Sequence, residues 1–314
     1  MKNKTLFAIA CGFALAGGTL QAQILYSDNF DAGTSASGWT ARLSHSDAFA
    51  DFAFDYSTLG IPAAPGSAGT TIGMRFLVNQ SAGVFQGISA TPNGQSFTGD
   101  FRVSFDMWFN YVGPLGIGGS GTTQAGSFGW GVNGANAEWA GGSSGVLFAA
   151  TLDGGSSVDY RVYLNNTTQL EASGVYAAGT HSGARNGSDP YYAVFGGEAA
   201  PAAQVALFPG QTGVTDAGET AFRWYKVNID KLGDNIAWFI DGYLIASAPL
   251  TGVSLSGNNI VLGMFDTNAG SSTDPNDFLN AAIYDNIKVE VIPEPSSALL
   301  VLLGLGGLLF RRRA

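Results

Sequence analysis

The residues that could do chemistry are few. The chain has two histidines, His45 and His181, and one cysteine, Cys11. The histidines lie at no metal-binding spacing, and no Gly-x-Ser-x-Gly turn accompanies them as a serine hydrolase would require. Cys11 sits inside an apolar N-terminal run, so the remainder has no disulfide, thiol nucleophile or cysteine-bound metal. Oxygen ligands are more plentiful. Calcium takes about six to eight of them, from Asp, Asn and backbone carbonyls. Asp266-Thr267-Asn268 and Asp274-Pro275-Asn276-Asp277 are rich in such groups. They lack the Gly that an EF-hand loop needs at its sixth position, and an Asx-rich turn is the simpler account. Asp285 stands among Ile283, Ile287, Val289 and Val291, and a carboxylate on an apolar face needs a strong partner. Calcium shared with Asp28 is one such partner; backbone amides with a Lys or Arg are another.

Aromatic residues offer a different chemistry. An exposed indole beside Asp and Asn can stack on a pyranose ring while its neighbours hydrogen-bond the hydroxyls. Trp108 shares a strand face with Asp106 and Asn110, Trp224 shares one with Asn228 and Asp230, and Trp130 and Trp139 lie near Gly-rich loops. Trp108, Asp106, Asn110, Trp130 and Trp224 are therefore candidate carbohydrate-binding residues, and Asp28 and Asp285 candidate calcium ligands. The competing role for each Trp is core filling, where its large area contributes most; Trp238, between Ile236 and Ile240, is expected there.

The elements that must position these groups are strands. Of the 314 residues, 46% are hydrophobic, 12% are charged and 45 are Gly, the balance of a folded, turn-rich domain. Phe101–Tyr111 alternates Phe101, Val103, Phe105, Met107 and Phe109 with Arg102, Ser104, Asp106, Trp108 and Asn110, a half-buried strand. Trp224–Asp230 alternates likewise. Ile236–Ile240 and Tyr243–Ala246 flank Asp241-Gly242, a tight-hairpin signal. A last strand is expected over 281–291, with Ile283, Asp285, Ile287, Val289 and Val291 on one face. Short runs between Gly, Asn, Asp and Ser clusters throughout 23–292 indicate an all-β sandwich. The Gly/Ser-rich stretches 113–127, 140–145, 179–190 and 266–277 read as long loops.

The two ends carry a different signal. Lys2 and Lys4 precede an apolar run to Leu20, and Leu20-Gln21-Ala22 offers a signal-peptidase site; residues 1–22 are expected to be a signal peptide. The C-terminus reads Pro293-Glu294-Pro295, then an apolar run to Phe310, then Arg311-Arg312-Arg313. As a helix, Ser296–Phe310 spans about 22 Å, short of a ~30 Å hydrocarbon core. The arginines favour a cytoplasmic end by the positive-inside rule. The net charge of −10 repels nucleic acid and anionic lipid.

Motif, helix and basic cluster, in that order, resemble the PEP-CTERM sorting signal of Gram-negative bacteria. The resemblance implies that residues 293–314 are a sorting tail processed by an exosortase at Pro293, Glu294 and Pro295. Residues 296–310 would pass through the membrane before processing, and Arg311, Arg312 and Arg313 would stop the transfer. It further implies export to the cell envelope, outer surface or exopolysaccharide-rich biofilm matrix. The segment 52–73, with Asp55-Tyr56-Ser57-Thr58-Leu59-Gly60-Ile61-Pro62, resembles a stretch of other PEP-CTERM proteins.

The central region, 23–292, resembles concanavalin A-like lectin/glucanase sandwiches, laminin-G-like domains included. Tyr26-Ser27-Asp28-Asn29-Phe30 resembles their first strand, Trp224–Ile229 with Ile236–Gly242 their penultimate hairpin, and Ile283–Val289 the closing strand that pairs with the first. The implied fold is an antiparallel jelly-roll sandwich. The glucanase branch carries Glu-x-Asp-x-x-Glu, with two carboxylates about 5 Å apart. Glu138, Glu171, Glu198, Glu219 and Glu290 do not have that spacing, so the resemblance does not bring catalysis. The expected protein is a non-catalytic, exported sandwich that binds polysaccharide. The alternatives are a polysaccharide-degrading enzyme of the same fold and a purely structural or adhesive surface protein.

Overall fold

The computed structural model describes residues 22–80, 83–116, 123–153, 158–178, 187, 189–268 and 275–292. Nearly all of the signal segment, the Pro293-Glu294-Pro295 motif, the tail helix, Arg311–Arg313, His181 and Asp274 lie outside them. No helix among the described residues is long and apolar enough to cross a membrane.

Ile24–Ile292 forms one compact unit of two antiparallel sheets. The first sheet contains β1 (Ile24–Asp28), β3 (Phe49–Asp55), β4 (Ile72–Leu77), β6 (Phe101–Asn110), β11 (Tyr225–Leu232), β12 (Asn235–Ile240), β13 (Tyr243–Pro249) and β15 (Ala281–Val291). The second contains β2 (Trp39–Leu43), β5 (Gln86–Pro92), β7 (Gln124–Val132), β8 (Val146–Thr151), β9 (Tyr160–Leu164), β10 (Thr167–Thr168) and β14 (Asn259–Asp266). The strand orders are β13-β12-β11-β6-β15-β4-β3 and β10-β9-β8-β7-β14-β5-β2, with β1 beside β15. This is the expected all-β sandwich, and the closing strand does pair with the first, Asp28 lying opposite Ile287.

The inner faces follow from the alternation. Phe101, Val103, Phe105, Met107 and Phe109 are all buried to within 1%, as are Tyr225, Val227 and Ile229. Aromatics lock the sheets together: across the core Phe128 meets Phe105 at 5.1 Å and Trp238 at 5.3 Å between ring centres. Burying each such ring contributes about 1.5–3 kcal/mol. The Tyr284 hydroxyl crosses the core to donate to the Gly263 carbonyl at 2.9 Å. Trp238 is fully buried, as expected. The Asp241-Gly242 turn joins β12 to β13 with φ of 48° and 82°, the left-handed pair that a two-residue hairpin needs.

β15 departs from the expected strand. Asp285 lies opposite Asp106 and Lys288 opposite Ser104, so Asn286 and Ile287 together face Phe105. This is a β-bulge, and Asn286 takes φ 52°, a conformation Asn tolerates better than most residues. One extra residue reverses the phase of all that follows. Ile287 and Val289 point inward, whereas Ile283 and Asp285 point to the outer face. The single apolar face expected over 281–291 does not exist.

Candidate functional site

The outer face of the first sheet carries a row of charges. Asp285 on β15 pairs with Asp106 on β6, and Asp106 pairs with Lys226 on β11; adjacent strands put these residues about 4.8 Å apart. Over this row folds the segment 55–71. Its first turn, Tyr56–Leu59, is capped by the Asp55 side chain accepting from the Ser57 amide and by Gly60 at φ 70°. A Cβ at Gly60 would run into the backbone of Ala203 and Gln204 in the short helix Ala202–Leu207. Gln204 returns the contact, donating to the Leu59 carbonyl at 2.9 Å and to Asn110 Oδ1 at 3.0 Å.

Asp285 is the anchor of this roof. The Ser67 hydroxyl donates to its Oδ2 at 2.6 Å, the Tyr56 hydroxyl at 3.1 Å, and the Asn286 amide to its Oδ1 at 2.6 Å. It is fully buried, which pushes its pKa up to about 6 against the pull of those donors, with Asp106 adding to the rise. Asp28 is similarly engaged, accepting from the Phe30 amide at 2.8 Å, Ser35 Oγ at 2.7 Å and Trp39 Nε1 at 2.9 Å. Three of the about four lone-pair sites on each carboxylate are thus taken by N–H and O–H donors. That donor set does not fit calcium at the Asp28–Asp285 pair, and the partner that Asp285 required is supplied by hydroxyls and a backbone amide. Among the described residues no three His, Cys, Asp or Glu side chains are placed to hold a metal. Asp266 is buried and accepts from Asn79 and the Asn268 amide, each bond 2.7–2.8 Å long.

Burial decides the tryptophans. Trp108 is 1% exposed and Trp130 4%, so neither presents a ring to a ligand, and both are corrected to core residues. Trp108 Nε1 donates to Asn110, itself fully buried; Trp130 Nε1 donates to the Phe97 and Asn258 carbonyls. Trp139 packs on the outer face of the second sheet, 4.4 Å from Phe85 between ring centres. His45 Nδ1 accepts from the Asp47 amide in a loop. Trp224 alone of the candidate indoles keeps a partly exposed ring on the first sheet's outer face. Its Nε1 donates to the Pro62 carbonyl at 2.7 Å, and its ring abuts Trp108 and Tyr56.

Beside Trp224 lies a hollow of about 450 Å³ walled by Pro65, Gly66, Asp106, Lys226 and Asp241. Asp106 is nearly buried but reaches it, held by Lys226 Nζ at 3.2 Å and Asn286 Nδ2 at 2.8 Å. Asp241 accepts from the Lys226 amide at 2.8 Å and from Arg223 at 2.7 Å. Lys226, Asp241, Asn286 and Gly66 were invisible as site residues in the sequence. Register and bulge bring them together, and the one legible sign was an Asn following an Asp inside a strand pattern. Asp285 is sealed under the roof, so the adjacent pair Asp106–Asp285 does not present two carboxylates to a substrate.

Residues 291–313 match the PEP-CTERM protein-sorting motif. No curated protein sequence matches the chain. Among solved structures, a Bacillus licheniformis β-glucanase is 12% identical, with 85% of this chain and 98% of that one covered at a TM-score of 0.40. The carbohydrate binding module CBM66 from Bacillus subtilis is 11% identical, over 81% and 95%, at 0.37. The exoplasmic/lumenal domain of VIP36 in its Ca2+-bound form is 9% identical, over 82% and 85%, at 0.42. Enzymes and binding proteins stand side by side in this set. The chain is an antiparallel two-sheet sandwich followed by a PEP-CTERM protein-sorting motif.

Proposed function

We propose that this is an exported, exosortase-sorted surface protein whose sandwich binds polysaccharide without cleaving it, in the hollow beside Trp224. The observation that carries the reading is the partly exposed Trp224 ring set against Asp106, Lys226 and Asp241. An indole face takes the apolar C–H face of a sugar while fixed polar groups at its edge take the hydroxyls, the usual division of labour in a ligand pocket. The sorting motif supports delivery to the envelope or the matrix outside it, where such a ligand is met. The sealing of Asp285 supports a binding role over a hydrolytic one.

Native affinity electrophoresis of the full chain, in mild detergent, through gels containing mixed-linkage β-glucan, galactomannan or hydroxyethyl cellulose tests this. At least one polymer is expected to retard the wild type, and Trp224→Ala to remove at least tenfold of the affinity. Absence of retardation by every polymer tried, acidic ones included, contradicts the binding reading. Release of reducing sugar from a retained polymer contradicts its non-catalytic part.

A further inference from the structure

The hollow beside Trp224 does not end at Lys226. Gly66 and Lys226 also wall a second hollow of about 790 Å³, floored by Ser104, Asn286 and Lys288 and banked by the end of β1 and Asn29 after it. Gly66 stands at the junction of the two. A Cβ there would sit 3.0 Å from Asn286 Nδ2 and 3.3 Å from Asp106 Oδ2, so only a glycine leaves the floor uncrowded at this point. From Asp241 the surface crosses β11, β6, β15 and β1 in turn. Four strands at about 4.8 Å spacing make a path of roughly 14 Å, longer than a single sugar ring.

The charges along this path are already matched. Lys226 is paired with Asp106, Lys288 with Glu290 at 2.9 Å, and Asp241 with Arg223 at 2.7 Å. Asp28 at the far bank spends its lone pairs on protein donors. Among the described residues lining this path each cation already faces a carboxylate, and the chain as a whole is acidic. What remains are hydroxyls and amides: Ser27, Thr34 and Ser104 line the trough, and Asn29 and Ser37, whose Nδ2 and Oγ already donate to Asp31 and to the Thr34 carbonyl, keep their oxygens as acceptors.

From this we infer that the two hollows are one trough that takes the interior of a linear, uncharged polysaccharide, with Trp224 at one end and β1 at the other. The inference rests on the saccharide-binding reading above and adds to it the ligand's charge, its length and the far bank. Ser27 is exposed and faces the trough, opposite Lys288. A bulky residue there obstructs the far half and leaves Trp224 untouched.

The test uses the full chain in mild detergent against neutral polymers, against alginate and polygalacturonate, and against oligosaccharides of increasing length cut from whichever neutral polymer binds. Expected are retardation by a neutral polymer and not by the acidic ones, affinity rising at least tenfold from one sugar unit to three or four, and at least a tenfold loss in Ser27→Trp. Thr34→Trp, on the same bank, is the second obstruction should the first fail to fold, and thermal melting shows which variants are intact. Retention by acidic polymers alone overturns the inference and leaves the binding reading standing. So does affinity independent of length, or folded obstruction variants that bind as the wild type does while Trp224→Ala does not. A wild type that binds no polymer overturns both.

Discussion

At the scale of single residues, two buried carboxylates behave differently and predict different things. Asp285 is saturated by Ser67, Tyr56 and the Asn286 amide. Removing it leaves the Ser67 hydroxyl and the Asn286 amide without that acceptor, while the Tyr56 hydroxyl keeps the Thr70 carbonyl at 3.1 Å. Asp285→Ala is expected to lower stability by about 2–4 kcal/mol, from unsatisfied groups that each cost about 1–3 kcal/mol, as read from urea unfolding. A loss below 0.5 kcal/mol would refute its anchoring role. Glu219 accepts from the Tyr111 hydroxyl at 2.8 Å, and only this bond and the Asp216 backbone pull against its burial. Burial pushes its pKa up to about 8, with Asp216 and Asp153 adding repulsion. The folded state thus holds this proton more tightly than the unfolded chain does. Its contribution is complete below the ordinary Glu range near pH 4.5, falls as pH rises, and levels off above about 8. Glu219→Gln keeps an acceptor for Tyr111 and cannot ionise. Its melting temperature is expected to exceed the wild type's at pH 8.5, with the difference shrinking towards pH 5; an equal offset at both pH values would contradict the assignment.

At the scale of elements, the roof and the bulge make the site. The roof turns on Gly60, whose φ of 70° and contact with the Ala203–Gln204 backbone both exclude a side chain. Gly60→Val is expected to cost more than about 2 kcal/mol, combining left-handed strain with the steric clash, and to expose Trp108, visible as a red shift in tryptophan emission. A stable variant with unshifted emission would show that the roof is held elsewhere. The bulge explains what could and could not be read from the chain. The pairing of β15 with β1 followed only from a family resemblance, whereas β6 and the β12–β13 hairpin were legible because each is written in local alternation or turn chemistry. The face of Asp285 was not, because one left-handed Asn in mid-strand reverses every later side chain. Nor was the burial of Trp108: its strand showed a polar outer face, yet its ring abuts Trp224, which in turn packs on Tyr56 of the segment 55–71. Alternation reports which residues share a face, not whether that face meets water. For Trp130 the same limit applied in simpler form, since a Gly-rich neighbourhood does not distinguish a loop platform from an inward-facing strand position.

At the scale of the whole molecule, the sorting motif and the sandwich are adjacent: β15 runs to Val291, where the motif match begins. Ile292 is still tied to the sheet, its amide donating to the Asp100 carbonyl at 3.1 Å. If the motif directs processing by an exosortase, Glu294→Ala should leave the sandwich folded and its glycan affinity unchanged while the uncleaved chain accumulates in the membrane fraction of the producing cell. Equal distribution of variant and wild type between membrane and medium would contradict that role. Location and binding are thereby separable, one tested in the tail and the other in the trough.

The central claim is that the outer face of the first sheet holds a sugar against Trp224. Trp39, Trp108, Trp130 and Trp238 are buried, and the partly exposed Trp139 lies on the outer face of the other sheet, so an emission change from a ligand held in the trough should come chiefly from Trp224. A fluorescence titration of the full chain with the neutral polymer that retards it is therefore the most direct measurement. The account predicts a saturable blue shift in the wild type that is lost in Trp224→Phe of unchanged melting temperature. A response of the same size in that variant, or none in the wild type under conditions where the polymer binds, would place the ligand elsewhere.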